Sequence, residues 1–556
     1  MKRLLAALAL LLCASASAAT DAAAVLGAMR AEMKRAQDSL VAPDGTRPYY
    51  LAVRFAVRDA VSLGARRGLA LPARRASDPA LLVEIRVGSP ELDDSRFEGT
   101  ATEGFPFALP VSAEGDSLLL RRAVWAMFDD AFRQAVRNLA EKRAWLKSHP
   151  RSRPPGPDFV LPERHSLVDT LPPLEVDTAK WTAALVEASR FAESRPFLVE
   201  APVALEISST RRYAVDSRGS FSVTDERRAL ALGALLVQAD DGTPLWDYWR
   251  DMGLSPDEID FAGAGKLLAE RADALDRLRG LPQEEPYRGP VLLSGDAAGA
   301  FVWSALGSAL FGGEREMQLG DGAGPRHLVS ALGRRLLPRG FALYDLPALS
   351  SFDGKSAPGR NLVDHEGNLS RDVAILDDGM LRELPTGQQP VSGQAAVNGH
   401  WRHGGPFPST LVLSCPDERV RKGISAEFAK AVAAEGIPHG YEIERFEDPE
   451  ASMLLRSPLA DEIRGRVVFS DVDVIRLPVP TAMFRVDANG VRTPARPLQP
   501  SSQTAASYRE WALCGAEHVL HTMWEGASVV APSILHAYMQ MLPQTLQGAE
   551  PVLLRN

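Results

Sequence analysis

Cysteine is scarce in this chain. Of three in 556 residues, one lies in the first thirteen, which leaves Cys415 and Cys514. That number excludes a disulfide-framework fold and any cysteine-rich zinc module. An oxidising compartment would permit a bridge between the two, but thiols so far apart in sequence read as unpaired and half-buried. After the N-terminus there is no apolar run long enough to cross a bilayer, so no membrane span is expected. Positive charge is also in deficit: 62 Lys and Arg stand against 71 Asp and Glu, for a net charge of −9. This is the wrong sign for a protein that binds nucleic acid through phosphate contacts. The basic pairs Arg66-Arg67, Arg74-Arg75 and Arg334-Arg335 are isolated and read as solvated surface.

Intact catalytic motifs are missing too. There is no G-x-S-x-G nucleophile elbow. The segment from Asp260 to Leu267 brushes against a phosphate loop but has Asp260 for its leading glycine and Leu267 for the magnesium-binding hydroxyl, so it reads as a helix opening. Gly320, Gly322 and Gly324 form a glycine loop with no strand before it. His365-Glu366 is the one His-Glu pair, and Leu369 stands where an HExxH site needs its second histidine.

The N-terminus reads as an export signal. Lys2-Arg3 is a basic start, Leu4–Leu12 a short apolar stretch, and Ala16-Ser17-Ala18 a small-residue cleavage site. Cleavage after Ala18 predicts a periplasmic or secreted protein with 60 basic against 71 acidic side chains. A chain this long exceeds one ordinary domain. The run from Leu281 to Pro286 marks a boundary, which gives a signal peptide (1–18), a mixed α/β N-terminal domain (19–285) and a β-rich C-terminal domain (286–556). The overall class is α+β.

Helices are predicted over Ala22–Leu40, Leu118–Lys147, Trp181–Glu193, Asp260–Gly280 and Ala426–Glu435. Strands are predicted over Tyr49–Val57, Leu81–Val87, Val203–Ile207, Tyr213–Asp216, Leu230–Gln238, Val291–Leu293 and within Gly465–Leu477. Asp377-Asp378-Gly379 and Ala488-Asn489-Gly490 read as hairpin turns.

Two sets of residues could ligate a metal. Cys514, His518 and His521 would share one face of an unbroken helix. Gly515 argues against that by capping a helix over Ala505–Leu513, and on a strand His518 and His521 would point to opposite faces. His400 and His403 flank Trp401-Arg402 and read as a solvated polar turn.

The segment Pro290–Glu314, PVLLSGDAAGAFVWSALGSALFGGE, resembles the zinc-binding segment of the TldD/PmbA family of metalloproteases, AGxLLHEAxGHGLxGD. Other stretches resemble the family in the same order: Tyr213–Gly219, Asp364–Gly367, Ile375–Leu381, Val397–Arg402 and Ser528–Leu535. The resemblance implies a two-domain α+β protein and a zinc site for unfolded peptides, with two histidines and a cysteine as ligands and a glutamate as base. It also implies a widened turn, because the histidines are spaced i, i+5. In register, the histidines fall on Trp303 and Ser308 and the glutamate on Ser304, within a degenerate metal-site helix over 295–312. Cys514-Gly515 is nearest to the family's cysteine segment, but Ala516 follows it out of pattern. Indole offers a metal no lone pair and serine is a poor zinc ligand, so no catalytic, metal or cofactor residue is expected. The resemblance therefore implies a non-catalytic subunit partnered with a motif-bearing homologue. One alternative is an active enzyme holding zinc through His400, His403, Cys514, His518 or His521. The other is a stand-alone peptide-binding scaffold.

Overall fold

The structure is a computed structural model that describes residues 22–98, 109–110, 117–150, 156–173, 175–310, 317–318, 328–391, 394, 396–465, 474–523 and 526–544. The proposed signal peptide, the 320–324 glycine loop and most of the strand sought within Gly465–Leu477 lie outside these residues.

The first sheet is antiparallel through its main path. Its long strands are β1 (Pro48–Arg66), β2 (Arg74–Ser89), β3 (Pro202–Asp216), β4 (Phe221–Gln238) and β5 (Pro244–Gly253), in the order β5-β4-β3-β1-β2. Val203–Ile207 and Tyr213–Asp216, predicted as separate strands, are two ends of β3. The intervening Ser208–Arg212 stays in register because Arg211 and Arg212 pair with Asp225 and Glu226 across the sheet.

Period-two alternation sorts the side chains of this sheet. Leu51, Val53, Phe55 and, further along, Val61, Leu63 and Ala65 lie under helices α1 (Ala22–Ser39), α2 (Ser117–Ser148), α3 (Thr178–Ser189) and α4 (Phe261–Arg279). Asp260 caps α4, its carboxylate accepting from Gly263 N at 2.9 Å, which accounts for the glycine-rich opening that brushes against a phosphate loop. On β4 and β5 the opposite face is also apolar. Leu230, Leu232, Leu236, Trp246 and Tyr248 pack against Ala451, Leu455 and Ile463 of the second half.

The second sheet is mixed. Its path runs through β8 (Val373–Asp377), β7 (Ala342–Asp345), β9 (Thr410–Ser414), β13 (Ser528–Pro543), β6 (Tyr287–Leu293), β10 (Gly440–Phe446) and β11 (Pro480–Val486), with β12 (Trp511–Thr522) paired to β13. The pairs β9–β13 and β6–β10 are parallel. Helices α5 (Asp296–Val302) and α6 (Ile424–Glu435) follow β6 and precede β10. Asp378 and Gly379 adopt positive φ, 49° and 73°, in the predicted hairpin turn. The predicted 488–490 turn joins β11 to Arg492–Pro494 with Val486 opposite Arg492.

Two local expectations fail. Ala505–Leu513 is a short 3-10 turn (Ala505–Glu510) running into β12, because Trp511 and Leu513 pair with His536 and Leu535 of β13. Cys415 and Cys514 are joined in a disulfide; β12 brings Cys514 to the end of β9, with the two Cα atoms 6.6 Å apart.

Candidate functional site

Helix α5 does not continue as an α-helix. Trp303–Gly307 forms a π-turn, closed by Ser308 N–H donating to Trp303 O, and Ser308–Leu310 tightens into a 3-10 turn. A widened turn is what the resemblance implies for the i, i+5 spacing, and Trp303, Ser304 and Ser308 stand on it here. Hydroxyl groups satisfy its carbonyls: Ser308 Oγ donates to Ser304 O at 2.9 Å, and Tyr508 Oη to Ala305 O at 2.6 Å. The Trp303 indole folds back over Gly307, where an added Cβ would lie 2.7 Å from Trp303 Cε3. Its outer side meets Phe407, with ring centroids 5.8 Å apart. Ser304 and Ser308 are both buried.

Trp303 and Ser304 line a cleft of about 180 Å³ between the two halves of the protein. One wall is β5, with Tyr248, Arg250, Asp251 and Met252; another is the end of β12, with Leu520, His521 and Thr522. Asp296 and Ala300 of α5 form part of the lining, as do Glu447 and Asp448. Ion pairs hold the walls together. Arg250 reaches Asp448 at 3.0 Å and Glu450 at 2.6 Å and donates to Met523 O. Arg445 grips Asp247 with two bonds, at 3.0 and 2.8 Å. Burial alone would raise the Asp247 carboxyl, but Arg445 and Arg271 outweigh it and hold it below the usual range.

His521 stands against α5. Its Nδ1 lies 3.4 Å from Asp296 Oδ1, and its ring fills the space that a side chain at Gly299 would need, with Cγ 2.4 Å from the would-be Cβ. Asp296 sits deep between the halves yet remains 58% exposed through the cleft. Burial pulls its carboxyl upward, but the hydrogen bond from His521, aided by Arg271 and Arg445, leaves it lowered.

The other candidate ligands do not converge. His518 Nε2 bonds Leu413 O at 3.0 Å, and Cys514, spent in the disulfide, has no thiolate to offer. His403 packs on His365 and Phe407. His400, expected in a solvated turn, is fully buried: Nδ1 donates to Asn398 O at 2.8 Å, and Nε2 stands 3.3 Å from Asp345. Burial would lower this imidazole, but Asp345 and Asn398 O raise it. Among the described residues, no three His, Cys, Asp or Glu side chains are grouped to hold a metal ion. Trp303, Ser304 and Ser308 do not fit zinc either. The alternation of β12 and the small residue at Gly299 are the signals that would have singled out His521 as a cleft residue in its own right.

The candidate site is thus a helix widened into a π-turn at a cleft between two sheets. Residues 286–390 match the sequence model of the PmbA/TldA metallopeptidase C-terminal domain. No curated protein matches the chain. Three solved structures share the fold. TldE from Thermococcus kodakarensis is 11% identical, with a TM-score of 0.58, 92% of this chain covered and 99% of that one. A Thermotoga maritima protein described as a candidate modulator of a DNA gyrase is 14% identical, with a TM-score of 0.57 and coverage of 93% of this chain and 99% of that one. A protein from Bacteroides thetaiotaomicron with a similar description is 13% identical, with a TM-score of 0.58 and the same coverage. Residues 286–390 thus resemble the PmbA/TldA metallopeptidase C-terminal domain, and the chain shares the fold of these three structures over more than nine-tenths of its length.

Proposed function

We propose that this chain is an exported, non-catalytic subunit of a heteromeric zinc protease acting on unfolded peptides. The observation that carries this reading is the π-turn itself. Its geometry and its place on a cleft are kept, while its three chemical positions hold Trp303, Ser304 and Ser308. A π-turn is costly to hold, and here Tyr508 and Gly307 are spent on holding it. Ser308 gives its hydroxyl to a carbonyl, and Trp303 occupies the space above Gly307, so neither side chain can take up a metal. No hydrolytic step is assigned to these residues. The chain's part is to complete the walls of a peptide-binding chamber whose chemistry a motif-bearing homologue supplies.

The test is co-expression with such a homologue from the same compartment, followed by size-exclusion chromatography with light scattering. The reading expects one stable complex with an interface above ~1,200 Å². Separate elution at micromolar concentration, with the homologue fully active alone, would instead favour a stand-alone peptide-binding protein.

A further inference from the structure

The cleft beside the π-turn contains an acceptor with nothing to accept. His521 is 3% exposed and lines the cleft. Its Nδ1 faces the Asp296 carboxylate, which can only accept, so Nδ1 carries a hydrogen, and in the neutral ring this makes Nε2 an acceptor. That Nε2 is buried and has no hydrogen-bond partner among the described residues. Leaving such an atom unpaired is costly, so the ring is placed for a donor that the described residues do not supply. Nor can the ring swing away easily, because the bare face of Gly299 is packed against it.

The charge around this acceptor has one sign in excess. The described lining residues include four carboxylates, Asp251, Asp296, Glu447 and Asp448, against Arg250 and Lys355. Arg250 is already engaged by Asp448 and Glu450, and Lys355 is exposed. Asp251 accepts from backbone N–H groups, that of Met252 at 3.0 Å and that of Asp260. Burial raises the Asp251 carboxyl, and burial, with Glu450 sharing the Arg250 counter-charge, raises that of Asp448. The cavity, about 180 Å³, exceeds the ~150 Å³ that accommodates a benzene-sized ligand.

We infer that the cleft takes its ligand by a primary ammonium group, which donates to His521 Nε2 and is neutralised by the carboxylates of Asp251 and Asp448. This rests on reading the cleft as a peptide site, and it makes the amino end of the peptide, or a lysine side chain, the feature that is recognised. Three N–H donors on one compact cation match one imidazole acceptor and two carboxylates. Asp296 orients the imidazole, and Gly299 gives it room.

The experiment is calorimetric titration of the full mature chain with three versions of one unstructured, C-terminally amidated heptapeptide. The first has a free amino terminus and no lysine. The second is the same peptide N-acetylated. The third is acetylated with one internal lysine. Losing a charge-assisted bond predicts at least a tenfold weaker fit for the second than for the first. Binding recovered by the third assigns the ammonium to a side chain; no recovery assigns it to the amino terminus. H521F keeps the ring volume without Nε2, and D251N removes one charge at a position with no ion pair. Each should weaken the ammonium-bearing peptide about tenfold and leave the acetylated one unchanged. Equal binding of the free and acetylated peptides would overturn the ammonium inference and leave the peptide reading standing. Failure of all three to bind the wild-type chain would overturn both.

Discussion

Gly307→Ala tests whether Trp303 has become part of the packing of the π-turn. Gly307 does not occupy the left-handed region of backbone space, so alanine is allowed there and would bring up to ~1 kcal/mol of helix propensity. Against this gain stands a steric cost. The new methyl would lie 2.7 Å from Trp303 Cε3, 3.1 Å from Cδ2 and 3.2 Å from Leu411 Cδ1. Carbon pairs settle near 3.5–4.0 Å, so the indole must retreat by about an ångström. Phe407 stands on its other side, with centroids 5.8 Å apart, and blocks a free retreat. Overpacking of this kind costs about 1–3 kcal/mol, so the net effect is a loss of roughly 1–2 kcal/mol. In a Trp303→Ala background the ring is gone and only the milder 3.2 Å contact with Leu411 Cδ1 is left to set against the propensity gain. A double-mutant cycle by urea denaturation, followed by far-UV circular dichroism, should give a coupling of about 1–3 kcal/mol. If Gly307→Ala costs the same in both backgrounds, Trp303 does not sit over this glycine and the packing account of the altered helix is wrong.

Glu366 is buried, and burial together with the charges of Glu84 and Asp364 lifts its carboxyl from 4.5 to about 8, so the native state keeps a proton that the unfolded chain releases. Stability should fall as pH rises from 4.5 toward 8, and Glu366→Gln should flatten that fall; the cleanest window is 6.5–8, because His365, lowered by burial to about 4, works in the opposite sense below 6.5. Cys415→Ser opens a cross-link between residues 99 apart and should cost ~2–4 kcal/mol, while mass mapping of the unreduced wild type should recover the Cys415–Cys514 peptide pair. N-terminal sequencing of native protein should begin at Ala19, and a mature chain that retains Met1 would end the export proposal.

Much of the fold is legible along the chain because local signals agree with it. The helix over residues 22–39, the capped helix beginning at Phe261 and the two hairpin turns each carry their own periodicity or turn chemistry. The altered π-turn is legible through its resemblance to the zinc segment. What is not legible is decided by partners remote in sequence. Trp511–Leu513 would suit a helix, but β13 claims it as a strand. The same pairing carries Cys514 to Cys415, which no spacing along the chain could reveal. His400 lies among turn residues and is nevertheless buried, because Asp345, 55 positions away, lies opposite it on β7. His521 joins Asp296 only once β12 lies against α5, so a cleft residue looked like one of several possible metal ligands.

The central claim is that the kept π-turn no longer holds a metal centre. Elemental analysis of the isolated mature chain, coupled to a peptide-cleavage assay with and without chelator, tests it most directly. The account predicts no stoichiometric zinc and no chelator-sensitive cleavage of an unfolded peptide, since Trp303, Ser304 and Ser308 offer neither ligands nor base. Near one zinc per chain with cleavage that the chelator abolishes would contradict it.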